Sequence, residues 1–214
     1  GSAYVYVKPL GGWKDMTQTA KLTAMEGAVG DRLGFSVALD GETVVAGAPG
    51  KDEGSIVDQG SAYVFLKFQP TWSDLTHVAR LTADDGSADL MGLGGAFGHS
   101  VAVSGDTVVV GAPKDHVGFN LRRGSAYAFS RMESGWGDMT QTAKLTAADR
   151  WPFDRFGTSV ASSDGFHLIG SPGNENGKGA GYVFAALGTS ETSDPGSSGL
   201  PGGNIDQDTT VQGG

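Results

Sequence analysis

The sequence predicts an all-β fold of consecutive four-stranded antiparallel propeller blades, with too few strands in this chain to complete a ring. Three observations support this. The phrase Gly1-Ser-Ala-Tyr4-Val-Tyr6 returns as Gly60-Ser-Ala-Tyr63-Val-Phe65, Gly124-Ser-Ala-Tyr127-Ala-Phe129 and Gly179-Ala-Gly-Tyr182-Val-Phe184, at spacings of 59, 64 and 55 residues. The composition, 36 glycines and 8 prolines against 38% hydrophobic residues, suits short strands and tight turns and not long helices. Within each spacing, short apolar runs alternate with turn residues in a fixed order.

The second complete unit shows that order. Phe97-Gly-His-Ser-Val-Ala-Val103 alternates small or apolar with polar residues and enters Ser104-Gly105-Asp106, a strand meeting a tight turn. Thr107-Val-Val-Val110 returns and is closed by Gly111-Ala112-Pro113, where proline removes a ladder donor. A variable loop leads to the Gly-Ser-Ala-Tyr phrase as third strand, and after Trp136 the segment Gln141-Thr-Ala-Lys-Leu-Thr146 makes the fourth. Leu33-Gly34-Phe35-Ser36-Val37 and Phe156-Gly157-Thr158-Ser159-Val160 take the first-strand position, while Gly47-Ala48-Pro49 and Gly170-Ser171-Pro172 match the second-strand end. Trp13, Trp72 and Trp136 each lead into Trp-x-Asp-(Met/Leu)-Thr, and a residue recurring in every repeat is expected to be a packing anchor. The organisation expected is a partial blade at 1–24, blades at about 25–83 and 84–147, and a partial blade at 148–187. A Gly/Ser/Asp-rich tail or linker follows at 188–214, in which only Asp208-Thr-Thr-Val-Gln212 has strand character.

Phe97-Gly98 with Gly111-Ala112-Pro113, and Phe156-Gly157 with Gly170-Ser171-Pro172, resemble the FG-GAP repeat, the blade of the integrin alpha-subunit propeller and of many bacterial secreted or surface propellers. The first unit departs with Leu33 for phenylalanine and the third with Ser171 for alanine. The resemblance covers residues 1 to about 187. It implies an extracellular or cell-surface adhesion platform whose loop-bearing face binds macromolecules. Many members of that family hold calcium in an Asp-x-Asp-x-Asp-Gly loop between the first two strands. Here the connection reads Leu39-Asp40-Gly41-Glu42, Ser104-Gly105-Asp106 and Ser163-Asp164-Gly165, short hairpin turns with one or two carboxylates where calcium prefers about six to eight oxygens. Calcium is therefore disfavoured, and no cofactor or metal site is assigned.

A formal charge of -9 and a pI near 4.7 set nucleic acid aside as a partner, since phosphate binding rests on Lys and Arg. Membrane insertion is not expected, because no apolar run approaches the length of a span. With no cysteine the chain has neither disulfides nor thiolate sites. His77, His99, His116 and His167 fall at unrelated repeat positions, so no triad or zinc signature forms and the chain is read as non-enzymatic. Gly92-Leu-Gly94-Gly95-Ala-Phe-Gly98 precedes a strand, where a nucleotide fingerprint would follow one, and reads as a loop insertion.

Contact with a protein or glycan ligand is assigned to the loops. Trp151 and Phe153 stand outside the repeat order, in a connection between blades. The loops at 50–59, 84–96 and 114–123 should emerge on the same side, bringing acidic clusters at Asp52, Glu53 and Asp58 and at Asp84, Asp85 and Asp89. The plainer alternatives are solvated loop carboxylates and aromatics that cover the gap between blades. Asp31-Arg32 and Asp154-Arg155 recur before the first strand as local pairs or turn caps. Two rival functions remain. One is an accessory propeller of a secreted hydrolase, and the other is a structural protein that self-associates through open blade edges and completes blades between chains.

Overall fold

The computed structural model describes residues 1–86, 94–116, 122–149 and 151–185. The strands are β1 (Ala3–Val5), β2 (Ala20–Thr23), β3 (Ser36–Asp40), β4 (Thr43–Ala48), β5 (Ser61–Leu66), β6 (Leu75–Thr76), β7 (Ala79–Thr82), β8 (Ser100–Ser104), β9 (Thr107–Ala112), β10 (Ser125–Ser130), β11 (Met139–Thr140), β12 (Ala143–Leu145), β13 (Ser159–Ser163), β14 (Phe166–Ser171) and β15 (Ala180–Ala185). A four-residue helical turn, α1 (Asn174–Gly177), is the one helix among the described residues. The strands form four sheets, ordered β1-β2-β6, β11-β7-β5-β4-β3, β12-β10-β9-β8 and β13-β14-β15. The fold is thus all-β, built of consecutive propeller-type blades that do not close a ring among the described residues.

Each blade begins with a two-residue hairpin. Asp40 pairs with Thr43, Ser104 with Thr107 and Ser163 with Phe166. The turns need a left-handed backbone, supplied by Gly41 (φ 56°), Gly105 (φ 55°) and Asp164 with Gly165 (φ 48° and 78°). β4 is buried along its whole length, which explains its run of small and β-branched residues.

Successive sheets are laced at their outer edge. β6, from the connection entering the fourth strand of one blade, pairs in parallel with β2 of the preceding sheet, and β11 does the same to β7. The aspartate of the Trp-x-Asp phrase completes each lace: Lys21 N donates to Asp74 Oδ1 at 2.8 Å, and Arg80 N donates to Asp138 Oδ1 at 2.8 Å. The recurring tryptophans follow from this arrangement. Trp136 joins the core between the second and third sheets at 8% exposure, and Trp72 packs on the core between the first two. Trp13, in the first sheet's own connection, is 63% exposed.

A second interlock lies nearer the inner strands. The glycine N–H of the Phe-Gly turn donates to the Gly-Ala-Pro glycine of its own blade, Gly98 N to Gly111 O and Gly157 N to Gly170 O, both at 3.1 Å. The carbonyl of that turn points into the preceding blade. Ser36 Oγ donates to Gly98 O, and Ser100 Oγ to Gly157 O, each at 2.8 Å. Phe97 then packs in one apolar core with Val45, Val64, Val101, Val110 and Phe129, and Phe156 in the next with Val109, Ile169 and Tyr182. Burying a side chain of this size contributes roughly 1.5–3 kcal/mol relative to exposure.

Candidate functional site: the loop band and its aromatic patch

The segments that enter each blade bond to the loops on either side of them. Gly94 N, Ala96 N and Phe97 N donate to Val57 O, Asp58 O and Gln59 O, and Lys114 N donates to Gly95 O. One blade further on, Arg155 N and Phe156 N donate to Arg122 O and Arg123 O, and Gly173 N donates to Asp154 O. The described parts of the loops therefore form a continuous hydrogen-bonded band, as their equivalent positions in the repeat require.

Trp151 and Phe153 lie on this band, 66% and 52% exposed. Trp151 N donates to Asp154 Oδ2 at 2.7 Å, which turns the chain tightly, and Phe153 takes φ 69°. Ala28 N donates to Asp31 Oδ2 at 2.8 Å in the equivalent turn, so both aspartates are turn caps. The two aromatics, with Pro152, Asp154, Gly173 and Glu175, line an open hollow of about 450 Å³. Burial pushes the Asp154 carboxyl above the ordinary carboxylate range, although the Trp151 N–H favours its charged form.

The acidic residues have other neighbours. Asp52 Oδ1 accepts from Asp58 N at 3.0 Å, closing their loop. Glu53 Oε1 accepts from Ser61 Oγ at 2.7 Å and lies 3.4 Å from Arg80 Nη1. Asp84 N donates to Gln141 Oε1 at 3.1 Å, and its carboxylate accepts from Gln141 Nε2. Asp89 lies outside the described residues, as do 188–214 and parts of the loops at 84–96 and 114–123.

Asp85 belongs to a repeating clamp that sequence reading did not identify. The Tyr127 hydroxyl lies 2.9 Å from Asp85 Oδ1 and 2.8 Å from buried Asp115 Oδ2, and Lys144 Nζ reaches the same carboxylates at 2.5 and 2.9 Å. In the next blade Tyr182 donates to Asp149 Oδ1 at 2.7 Å and accepts from Asn174 Nδ2 at 2.8 Å. In each case a carboxylate just past the fourth strand of one blade holds the third-strand tyrosine of the following blade. Burial, then Asp115 and Asp85, raise the Tyr127 hydroxyl well above the tyrosine range. Burial lowers the Lys144 ammonium, but Asp115 and Asp85 outweigh it and the net direction is up. The signal was present in the sequence as the acidic residue after each Ala-(Lys/Arg)-Leu-Thr-Ala segment: Glu26, Asp85 and Asp149.

The hairpins between the first two strands use a carboxylate structurally. Their turns are two residues long, and Asp40 Oδ2 accepts from Gly105 N at 2.7 Å, holding neighbouring blades together. No group of three metal-ligating side chains occurs among the described residues.

No curated protein matches the chain. The family model of the FG-GAP repeat matches residues 16–65, 75–129 and 139–184. The second and third matches each run from a lace strand, β6 or β11, and the following fourth strand through the first three strands of the next sheet, and the first runs from β2 through β3, β4 and β5. With most of its length covered in this way, the chain belongs to the FG-GAP repeat family.

Proposed function

We propose that the chain is a non-catalytic binding platform, extracellular or at a cell surface, that engages a protein or glycan ligand through its loop band. FG-GAP repeats form propeller-type protein-binding modules, generally without catalytic activity, and occur in extracellular or surface proteins. No helix among the described residues is long and apolar enough to cross a membrane. The observation that carries the reading is the pair Trp151 and Phe153, large aromatics outside the repeat order that stay exposed beside a hollow while their turn is held rigidly by Asp154. Flat aromatic surface with a carboxylate at its edge suits contact with a side chain or a sugar ring.

The test is a binding screen of the chain against immobilised oligosaccharides and extracellular proteins, repeated with Trp151→Ala/Phe153→Ala. Both side chains are solvent-facing, so the variant should fold. Binding should weaken by at least about tenfold, the loss of one or two aromatic contacts. A ligand held equally well by the double variant would remove the patch from the reading.

A further inference from the structure

The two laces are tied down alike except at one residue. Behind β11, Asp84 N donates to Gln141 Oε1 at 3.1 Å, and Gln141 Nε2 donates back to the Asp84 carboxylate, so an amide binds the lace connection to the segment after the preceding fourth strand. Behind β6 the same tie is made by His77, whose Nδ1 accepts from Met25 N at 3.4 Å. Gln18 holds this position in the first repeat, so the imidazole is the exception. An acceptor at Nδ1 places the ring proton of neutral His77 on Nε2, which lies 3.5 Å from Glu26 Oε2.

His77 is 12% exposed and lines an open hollow of about 520 Å³ with Lys21, Phe68 and Asp74. Its ring meets Tyr63 edge-on, with 4.9 Å between centroids. The charged groups around it come from every element packed there: Lys21 from β2, Glu26 from the turn after it, Asp74 from its own connection and Arg80 from β7. Burial, then Glu26, raise the Tyr63 hydroxyl above the tyrosine range, with Asp31 adding to them and Arg80 opposing, so the phenol stays uncharged. Glu26 is shared. Its Oε1 lies 4.0 Å from Arg80 Nη1, and that nitrogen lies 3.4 Å from Glu53 Oε1. Glu53 accepts from Ser61 Oγ and belongs to the loop at 50–59, part of the loop band.

We propose that His77 is a proton-operated joint: its imidazolium releases the Met25 N–H, draws Glu26 away from Arg80 and leaves Arg80 to Glu53, which links the outer edge of the array to its loop band. This inference is independent of the aromatic patch. The proton comes from solvent and enters at Nδ1, the ring nitrogen that carries the lone pair. Once protonated, Nδ1 cannot accept, so Met25 N–H loses its partner. The new charge strengthens the attraction of Nε2–H for Glu26, and Arg80 must then compete with a second cation for one carboxylate. Imidazole changes charge between about pH 5 and 8, where a side-chain amide does not. The Gln141 tie is therefore unaffected, and the two laces respond differently to the same change of pH.

NMR of the isotope-labelled full chain between about pH 5 and 8 tests this. The Met25 amide shift should follow the ionisation of the His77 ring, while the Asp84 amide, held by Gln141, stays flat. Protection of the Met25 amide from exchange should fall by about fivefold relative to Asp84, the loss of one hydrogen bond. The Arg80 guanidinium signal should move on the same curve. In Glu26→Gln the His77 midpoint should fall by about half a pH unit or more, since a neutral amide replaces the carboxylate that faces the imidazolium. His77→Gln installs the residue of the other repeats and should abolish the Met25 and Arg80 inflections. Should that variant fail to fold, the unaltered chain and Glu26→Gln decide. A Met25 amide or an Arg80 signal that does not titrate with His77, or a His77 midpoint unmoved in Glu26→Gln, overturns the proposal.

Discussion

Gly111→Ala and Gly170→Ala occupy the same repeat position and should differ sharply in cost. Neither glycine has positive φ, so the comparison isolates space. A Cβ at Gly111 would lie 2.0 Å from Gly157 O and 2.3 Å from Ser100 Oγ, so the backbone of the next blade would have to retreat by about 1 Å. Overpacking of this kind costs about 1–3 kcal/mol, and the hydrogen bond from Ser100 Oγ to Gly157 O contributes about 1 kcal/mol more. Alanine returns about 0.4–1 kcal/mol by restricting the unfolded chain. The net loss at Gly111 is therefore about 1–3.5 kcal/mol. At Gly170 only a rotatable hydroxyl is in the way, at 2.3 Å, and the change should stay within about 1 kcal/mol of zero. Urea unfolding followed by tryptophan fluorescence, at the lowest workable concentration so that association does not enter, measures both. If the two variants agree within about 0.5 kcal/mol, the blades do not interlock through this carbonyl.

Two further outcomes follow from the lace and from a buried imidazole. Asp138→Ala should cost about 1 kcal/mol and speed amide exchange at Arg80 several-fold, while Lys21, held by Asp74, keeps its protection. Burial holds His167 below its ordinary pKa of 6.5, so the unfolded chain takes up a proton that the folded chain resists. Stability contributed this way is complete above pH 6.5 and falls as the pH drops below it, with a slope of at most about 1.4 kcal/mol per pH unit. His99 acts in the same direction. His167→Val, the residue type at the equivalent Val44 and Val108, should flatten the acid limb of a urea-midpoint profile and leave the neutral region unchanged.

The blade itself was legible because its signals are local. Gly41, Gly105 and Gly165 mark hairpins whose backbone requires them, and the alternation around Val101 and the run around Val109 have the period and length of strands. The laces were not legible. β6 and β11 are two residues long, too short for any periodicity, and their partners lie in a different blade. The tryptophan phrase gave the right kind of role at Trp136 and Trp72, but exposure at Trp13 depends on a neighbour that no local pattern encodes. Spacing alone groups Asp85 with a loop cluster, while its contacts are with Tyr127 and Lys144, 42 and 59 residues away. A carboxylate clamp across blades becomes visible in sequence only when the residue after each fourth strand is compared with the tyrosine of the next unit.

The parallel laces determine how the array responds to mechanical tension. A pull that separates neighbouring blades cannot open the outer edge one hydrogen bond at a time, because β6 and β11 lie along the strands they hold, anchored by Asp74 and Asp138. The load falls on backbone bonds and side-chain anchor together, in shear. Extension should therefore proceed in discrete jumps of one laced repeat each.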